Sequence, residues 1–312
     1  MKYAKVKEFG VLHNNLNTKF KTPKNNRFKY DVSLRHLMNI EDRIKELAKK
    51  GFLVFSSFPV KWWDSEVYHD SYLAQKYSDG DLQWQKWAEE CVESAAITPE
   101  DIVADLGCGT GAATQKILHK KPELVYAIEP AKAMLDVFKT KIQGQVRITQ
   151  GSIDELAALE RPVANKIISH GVFVAVKDKL EFLNKIYSYL PQNGLFVFTI
   201  EDWHSAFGGI SLQESEIGCA EFVYEKTGQK MPITTSECPY FDFKKTKTLI
   251  EKAGADILEY KVKEQITSAD RYVKAHQGLY SKFVLSAINE FYADKKIVLL
   301  AQHLFVTRKK AK

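Results

Sequence analysis

The sequence has few cysteines and lacks any long apolar run. Its four cysteines, Cys91, Cys108, Cys219 and Cys238, lie far apart and show no paired spacing. This pattern favours neither a disulfide framework nor a zinc site, so we expect reduced thiols and no bound metal. No apolar segment approaches the ~20 residues of a membrane-spanning helix, and the lysine-rich first residues lack the apolar core of a signal peptide. We therefore expect a cytoplasmic protein without membrane insertion.

Positive charge is concentrated at the amino terminus. The net charge is +6 over 312 residues, whereas residues 1–50 hold 13 Lys or Arg against 5 Asp or Glu, which is +8 and leaves −2 for the remainder. A basic arm of this kind can bind an anionic surface or a nucleic acid. A solvated lead-in is the simpler interpretation, because lysine is ordinarily exposed.

Three segments of different character follow one another. Residues 1–60 form a basic extension with one amphipathic helix, whose apolar positions repeat at spacings of three and four. Residues 61–96 are rich in aromatic side chains and predict a helical cap, in which Trp84, Trp87 and Cys91 keep helical spacing. Residues 97–312 are expected to form the main domain.

In the main domain, short apolar runs alternate with amphipathic helices. This alternation predicts an α/β fold with a doubly wound, mostly parallel sheet of seven strands. The last strand has no crossover helix of its own before it and is expected to be antiparallel. Two insertions, 202–241 and 267–293, are expected beside the ligand crevice; the second is a long helix capped by Thr267. The predicted strands cover residues 102–106, 124–128, 146–148, 166–168, 195–200, 257–262 and 297–306.

A glycine-rich turn lies between the first of these strands and the next helix. Gly107, Gly109 and Gly111 have no Cβ, so the backbone can turn sharply and let a ligand approach, while the helix start directs unpaired N–H groups at it. The spacing of Gly107, Gly109 and Ala112 suits a dinucleotide, and Glu129 stands where an acid would bind ribose hydroxyls. NAD is therefore one expected ligand.

Three features favour a different ligand: the third glycine at 111, the acidic Asp105 two residues before the first glycine, and the late helix between the last two strands. Four motifs together resemble the class I S-adenosylmethionine-dependent methyltransferases, and the resemblance covers about residues 84–200. These motifs are Val103-Ala-Asp-Leu-Gly-Cys-Gly-Thr-Gly111, Ala127-Ile-Glu-Pro130, Gln150-Gly-Ser-Ile-Asp154 and Leu190-Pro-Gln-Asn-Gly-Leu-Phe-Val197. The resemblance implies a Rossmann-like fold with S-adenosylmethionine as cofactor and S-adenosylhomocysteine as product.

The resemblance also implies which residues hold the cofactor. Asp105 and the 107–111 backbone would hold its methionine end, and Glu129 its ribose hydroxyls. The Ile153 N–H would meet the adenine ring; because many family members have Asp where Ser152 stands, either Ser152 or Asp154 would contact the exocyclic amine. The complete implied set is Asp105, Gly107, Cys108, Gly109, Gly111, Glu129, Pro130, Ser152, Ile153, Asp154, Ser169 and His170.

Two histidines are candidates for a general base in an in-line methyl transfer. His170 follows the fourth strand and His204 the fifth, so both lie at the carboxyl edge where ligands bind. Each could instead orient a loop or contact the cofactor. A core role is the simpler interpretation of His276. The residues expected to wall the acceptor are Tyr68, Tyr72, Phe173, Trp203 and His276.

Two missing signatures narrow the acceptor. After the fourth strand the chain reads Ser169-His-Gly-Val-Phe173 rather than the Asn/Asp-Pro-Pro-aromatic signature of enzymes that methylate exocyclic amines of bases, and it lacks the paired glutamates of protein arginine methyltransferases. We therefore expect a small-molecule acceptor methylated at O, N or C. The alternatives are an NAD-dependent oxidoreductase, an RNA or protein methyltransferase, and a protein that binds the cofactor without methylating. The oligomeric state is left open.

Overall fold

The structure is a computed structural model that describes residues 40–58, 82–158, 164–202, 210–236, 241–267, 281–293, 295 and 297–311. The chain divides into two compact units. The described residues of the larger unit lie within 60–202, 241–263 and 302–312. Those of the smaller unit lie within 1–59, 203–240 and 264–301.

Strands and helices alternate through most of the described chain. The strands are β1 (Val54–Phe58), β2 (Ile102–Leu106), β3 (Leu124–Glu129), β4 (Val146–Gln150), β5 (Lys166–Ser169), β6 (Leu195–Asp202), β7 (Ile210–Ser211), β8 (Ile233–Ser236), β9 (Ala255–Thr267) and β10 (Ile297–Lys309). The α-helices are α1 (Ile40–Lys49), α2 (Leu82–Ser94), α3 (Ala112–His119), α4 (Lys132–Lys141), α5 (Lys179–Tyr189), α6 (Leu212–Thr227), α7 (Phe243–Lys252) and α8 (Lys282–Tyr292). Short 3-10 helices cover Ile153–Ala158 and Phe173–Ala175.

The main sheet has the strand order β4-β3-β2-β5-β6-β10, and β9 also pairs with β10, which gives seven long strands. The two-residue strand β7 adds an eighth by pairing in parallel with the first residues of β10. The first five strands are parallel. The Thr307 hydroxyl donates to the Phe196 carbonyl and the Lys309 N–H to the Gly194 carbonyl, so β10 runs antiparallel to β6. The predicted fold class, a mostly parallel seven-stranded sheet with an antiparallel strand near the carboxyl end, is confirmed.

Helices cover both faces of this sheet, which explains why its central strands are apolar almost throughout. On one face, Cys91 of α2 and Ile117 of α3 pack against Val103, Ile168 and Val197. On the other face, α5 and α7 pack against the alternate residues of the same strands. A strand buried on both faces gains from an apolar side chain at every position, and all five residues of β2 are buried.

The smaller unit has a core of its own. Strand β1 pairs in parallel with β8, and its helices contribute Leu47 from α1, Ile217 and Val223 from α6, and Ile288 from α8 to one apolar cluster. The Tyr292 hydroxyl donates to the Ser215 carbonyl at 3.1 Å, which joins α8 to α6. No helix in the described part of the chain is long and apolar enough to cross a membrane.

The first insertion contains a helix that the sequence interpretation missed. Residues 202–241 show no obvious core pattern, yet α6 occupies 212–227. It begins at a capping box, in which Ser211 and Glu214 each bond the other's backbone N–H, and it ends at Gly228 with φ +72°. The serine three residues before a glutamate and the glycine after the helix are sequence signals that predict such an element.

The second insertion also differs from the expectation. Thr267, the predicted cap of a long helix over 267–293, is the last residue of β9. The helix instead begins after Ser281, whose hydroxyl accepts a hydrogen bond from the Val284 N–H at 3.4 Å. Strand β9 continues past the predicted end at residue 262. The length of a strand depends on the neighbouring strand with which it pairs more than on the β-propensity of its last residues.

The division into units differs from the three expected segments. Helix α2 of the aromatic-rich segment 61–96 belongs with the main sheet. The described parts of residues 1–60 and of both insertions instead form the smaller unit. The reason is contact between segments far apart in sequence, such as the Arg43–Glu221 ion pair at 2.8 Å.

Replacing Ser211 by Ala should destabilise the smaller unit. The Ser211 hydroxyl satisfies an N–H at the start of α6, and loss of such a cap costs about 1 kcal/mol. Urea unfolding should show a lower midpoint, whereas Ser188→Ala in the exposed face of α5 should leave it unchanged. Equal midpoints for Ser211→Ala and the unaltered protein would contradict the capping role.

Candidate functional site

The three glycines after β2 have different tasks. All have positive φ, +73° at Gly107, +54° at Gly109 and +95° at Gly111. A Cβ on Gly107 would lie 2.2 Å from Val172 Cγ2, and one on Gly111 would lie 2.7 Å from Ile142 Cγ1. A Cβ on Gly109 would meet nothing within 4 Å. Gly107 and Gly111 therefore permit close packing, whereas Gly109 faces open space where a ligand can approach the backbone.

Backbone hydrogen bonds hold this turn against β3. The N–H groups of Gly107 and Cys108 both donate to the Ile128 carbonyl, at 2.8 and 3.1 Å. The Gly111 N–H donates to the Cys108 carbonyl at 2.9 Å. The Cys108 side chain is buried, and burial raises the pKa of its thiol, so it is a core residue in the turn. The turn is thus preformed by the fold.

Asp105 is a buried acid at the end of β2. Its side chain is 1% exposed and accepts a hydrogen bond from the Thr114 hydroxyl at 2.5 Å. Burial raises its pKa to about 7, and the charge of Glu129 adds to the rise, while Thr114 partly opposes it. With this pKa, the carboxyl group of Asp105 titrates near neutral pH. Its hydrogen bond with Thr114 connects β2 to the first turn of α3.

Glu129 ends β3 and contacts the glycine turn directly. Its Oε2 accepts from the Gly109 N–H at 3.0 Å, and its Oε1 accepts from the Ala131 N–H at 2.9 Å, just before α4. Burial raises its pKa, and these two donors partly oppose the rise. A carboxylate oxygen has two acceptor positions, so each Oε retains one for a further donor. The helix-start contact is present, and the ribose contact stays a prediction.

The predicted adenine-contacting segment follows β4. Ile153 packs against the main core, whereas Ser152 and Asp154 are exposed. Asp154 forms an ion pair with Lys185 at 2.7 Å, and this contact lowers its pKa. The Ser152 hydroxyl lies 3.3 Å from Glu155 Oε2. The Ser152 hydroxyl also accepts from the Asp154 N–H at 3.3 Å, so both proposed partners for an exocyclic amine already have contacts and either assignment stays a prediction. Pro130 is exposed at the end of β3.

The end of β5 carries Ser169 and His170, both buried. The Ser169 hydroxyl donates to the Leu106 carbonyl at 3.0 Å and so links β5 to β2. The His170 Nε2 lies 2.9 Å from the Gln302 side-chain nitrogen, and its ring contacts Trp84 at 4.4 Å between centroids. Burial lowers the pKa of His170 to about 3. The ring is neutral at physiological pH and is a weak base there.

The expected acceptor wall is only partly described. Phe173 is 1% exposed and packs against Phe182 and Phe198, at 5.9 and 4.8 Å between ring centroids. It is therefore a core residue rather than part of a wall, because its neighbours enclose it. The other predicted residues, Tyr68, Tyr72, Trp203, His204 and His276, lie outside the described residues.

Several buried polar side chains at the same sheet edge escaped the sequence interpretation. The Thr199 hydroxyl donates to Glu201 Oε1 at 2.9 Å and accepts from the Gly171 N–H at 2.8 Å. On the other face of the sheet, the Tyr260 hydroxyl lies 2.7 Å from His303 Nδ1. The sequence signal that could have identified them is a polar residue within an otherwise apolar strand, such as Thr199 or Gln302-His303.

Comparison with known proteins identifies the fold that holds this site. A family profile described as a methyltransferase domain matches residues 104–198, which include the glycine turn, Asp105 and Glu129. Residues 104–198 thus match a methyltransferase domain. The predicted resemblance is confirmed.

Relatives of the methyltransferase domain differ in acceptor. The chain is 27% identical over 169 residues to a malonyl-[acyl-carrier protein] O-methyltransferase of Priestia megaterium, which covers 53% of this chain and 57% of that protein. It is 40% identical over 53 residues to ribosomal RNA small subunit methyltransferase A of a Sulfurihydrogenibium strain, 17% of this chain and 20% of that one. The chain thus spans little more than half of the first relative's length.

The fold of this chain also resembles that of a solved structure with bound cofactor. Phosphoethanolamine N-methyltransferase 2 of Haemonchus contortus, in complex with S-adenosyl-L-methionine, aligns with a TM-score of 0.50 at 14% identity. The alignment covers 81% of this chain and 60% of that one. At this identity the likeness concerns the fold alone. Within the described residues, no group of three or more His, Cys, Asp or Glu side chains could hold a metal ion.

Exchanging the glycines of the methyltransferase domain should separate packing from binding. Gly107→Ala places a methyl group against Val172 and should cost at least about 1–3 kcal/mol of stability, as overpacking does. Gly109→Ala meets no neighbour and should cost about 1–2 kcal/mol from its left-handed backbone alone, yet it should block ligand approach. Thermal unfolding and calorimetric titration with S-adenosylhomocysteine measure the two effects. Normal ligand affinity in Gly109→Ala would contradict this assignment.

Proposed function

We propose that the methyltransferase domain binds S-adenosylmethionine and transfers its methyl group to a small molecule. The observation that carries the proposal is the open face of Gly109, whose N–H is held by Glu129. A ligand can approach the backbone there and still reach a buried carboxylate with an acceptor position to spare on each oxygen. That combination suits a nucleoside, whose ribose presents two adjacent hydroxyl donors.

The residues present fit the cofactor. Glu129 would accept the ribose hydroxyls, because its backbone donors leave acceptor capacity on both oxygens. Asp105 would support the methionine end from the end of β2, and Ser152 with the Ile153 backbone would meet the adenine after β4. When bound, the cofactor supplies a methyl group on a positively charged sulfur. NAD would use the same turn and acid, so the two ligands must be compared directly.

The protein's own contribution to methyl transfer would be positioning. Holding donor and acceptor in line can lower the barrier by about 7–11 kcal/mol. His170 is not assigned as the base, since its Nε2 is engaged by Gln302 and burial lowers its pKa to about 3, which makes the ring a poor proton acceptor near neutral pH. We propose instead that His170, at the end of β5, has a structural role through its contacts with Trp84 and Gln302. The base role of His204 stays a prediction.

The small-molecule acceptor is supported by the missing base-amine and arginine-methylation signatures. The competing acceptor classes are a malonyl-[acyl-carrier protein], named for the Priestia megaterium relative, and ribosomal RNA, named for the Sulfurihydrogenibium relative. The basic residues 1–50 would be the part that recruits RNA. A cytoplasmic location remains our expectation from the sequence.

Titration with S-adenosylmethionine and with NAD tests the cofactor. We expect S-adenosylmethionine to bind and Glu129→Ala to weaken that binding by about 1–3 kcal/mol, because a charged hydrogen-bond acceptor is lost. Glu251→Ala is the matched control, since Glu251 is an exposed acid of α7 paired with Lys247, and its affinity should match the unaltered protein. Tight NAD binding without S-adenosylmethionine binding would refute the proposal, and an unchanged affinity in Glu129→Ala would remove its ribose role.

Cell extract incubated with the protein and methyl-labelled cofactor tests the acceptor. We expect a labelled product that separates from the cofactor by chromatography, passes a membrane that retains macromolecules, and needs the protein with intact Gly109. Label retained with RNA or with protein, and lost on nuclease or protease treatment, would contradict a small-molecule acceptor. A Gly109→Ala protein serves as the control for background methylation in the extract.

A further inference from the structure

The loop that follows β5 is held by side chains from two other strands. The Thr199 hydroxyl on β6 accepts a hydrogen bond from the Gly171 N–H at 2.8 Å. The Gln302 side-chain nitrogen on β10 lies 2.9 Å from His170 Nε2. Two consecutive residues of one loop are therefore fixed by separate side chains, which lie 28 and 132 positions further along the chain.

Glu201 sets the direction in which the Thr199 hydroxyl points. A hydroxyl has one hydrogen to donate and two lone pairs, and Thr199 donates its hydrogen to Glu201 Oε1 at 2.9 Å. A lone pair of the same oxygen is then available to the Gly171 N–H. Thr199 is fully buried, so a lost partner would leave a buried polar group without a hydrogen bond, which is costly.

Gln302 has a comparable effect on the ring of His170. An amide nitrogen can only donate, so Nε2 must be the acceptor, and the proton of the neutral ring must lie on Nδ1. The ring is neutral at physiological pH because burial lowers its pKa to about 3. Burial raises the pKa of Glu201 and Gln302 lowers it, as a hydrogen-bond donor does. This effect indicates that the nitrogen of the Gln302 amide faces both groups.

The same loop packs against the glycine turn. A Cβ on Gly107 would lie 2.2 Å from Cγ2 of Val172, the residue after Gly171. Gly171 has a φ of +75°, and a Cβ there would lie 2.4 Å from Trp84 Cζ2. Trp84 thus lies close against the loop from α2, while Val172 contacts the turn. Because neither contact leaves free space, a displacement of Gly171 would also displace Val172 from the glycine turn.

We propose that Thr199 and Gln302 are positioning residues, which hold the loop 170–172 against the glycine turn and so keep the cofactor site in its binding geometry. This assignment rests on the proposed function. The turn follows β2, whose neighbours are β3 and β5. Ile128 and Glu129 hold the turn from β3, and the loop holds it from β5. A site fixed on both sides loses less conformational freedom when a ligand binds.

Replacing Thr199 by Val tests the contact with Gly171. Valine has nearly the shape of threonine but no hydroxyl, so the Gly171 N–H loses its acceptor. We expect the affinity for S-adenosylhomocysteine to fall about tenfold, as for one lost hydrogen bond. Thr199→Ser keeps the hydroxyl and should restore most of that affinity. Calorimetric titration well below the unfolding midpoint measures the affinity of the folded protein in each case.

Thr307→Val is the matched control. Thr307 is also fully buried in the main sheet. Its hydroxyl donates to the Phe196 carbonyl at 2.8 Å and lies 2.6 Å from the Tyr187 hydroxyl, and neither partner belongs to the loop after β5. This variant should lower the midpoint of thermal unfolding and leave the affinity unchanged. The same outcome in Thr199→Val, lower stability with unchanged affinity, would overturn the proposal.

Nuclear magnetic resonance of isotopically labelled histidine side chains tests the contact with Gln302 in the unaltered protein. We expect a neutral His170 ring at neutral pH with its proton on Nδ1; the signals are identified by their loss in His170→Asn. Gln302→Leu should release Nε2 to carry the proton and should weaken S-adenosylhomocysteine binding several-fold. A proton on Nε2 in the unaltered protein would overturn the proposal. Absence of S-adenosylhomocysteine binding by the unaltered protein would instead overturn the proposed function.

Discussion

The bond between the glycine turn and the end of β3 is the contact on which the site depends. Gly107 and Cys108 donate to the Ile128 carbonyl, and Gly109 donates to the Glu129 carboxylate. These bonds require the chain to turn back at once after β2, which needs a positive φ at three positions and room for Val172 and Ile142. Because the acid and the open backbone of Gly109 are joined, a ligand that binds one meets the other.

The carboxyl edge of the main sheet also holds buried acidic side chains. Glu129 is the last residue of its parallel strand, Asp105 and Glu201 are the last but one of theirs, and all three are at least nine-tenths buried. Burial raises the pKa of each of them. Their contacts differ: backbone donors hold Glu129, the Thr114 hydroxyl holds Asp105, and Thr199 holds one oxygen of Glu201. Glu129 therefore contacts the glycine turn directly, whereas Glu201 is connected to the loop after β5 through Thr199.

Sequence patterns predicted the main sheet well because its elements depend on local periodicity. The apolar run 102–106 predicts a strand, and the helical spacing of Leu183 and Ile186 predicts α5. Each pattern is visible within about a dozen neighbouring residues. The same patterns failed where contacts are remote. The long helix expected from Thr267 begins after Ser281, because Thr267 belongs to β9, which pairs with β10. Phe173 is a core residue because Phe182 and Phe198 pack around it.

The sequence by itself determined the fold class, the glycine turn, and Asp105 and Glu129 as its acids, because strand-helix alternation and motif spacing are local properties. Only the tertiary structure decided which glycine faces open space, that His170 is neutral and held by Gln302, and that Thr199 accepts from the Gly171 N–H. Those properties arise where β2, β5, β6 and β10 meet. Burial and pairing there come from residues up to about two hundred positions apart, which no local pattern records.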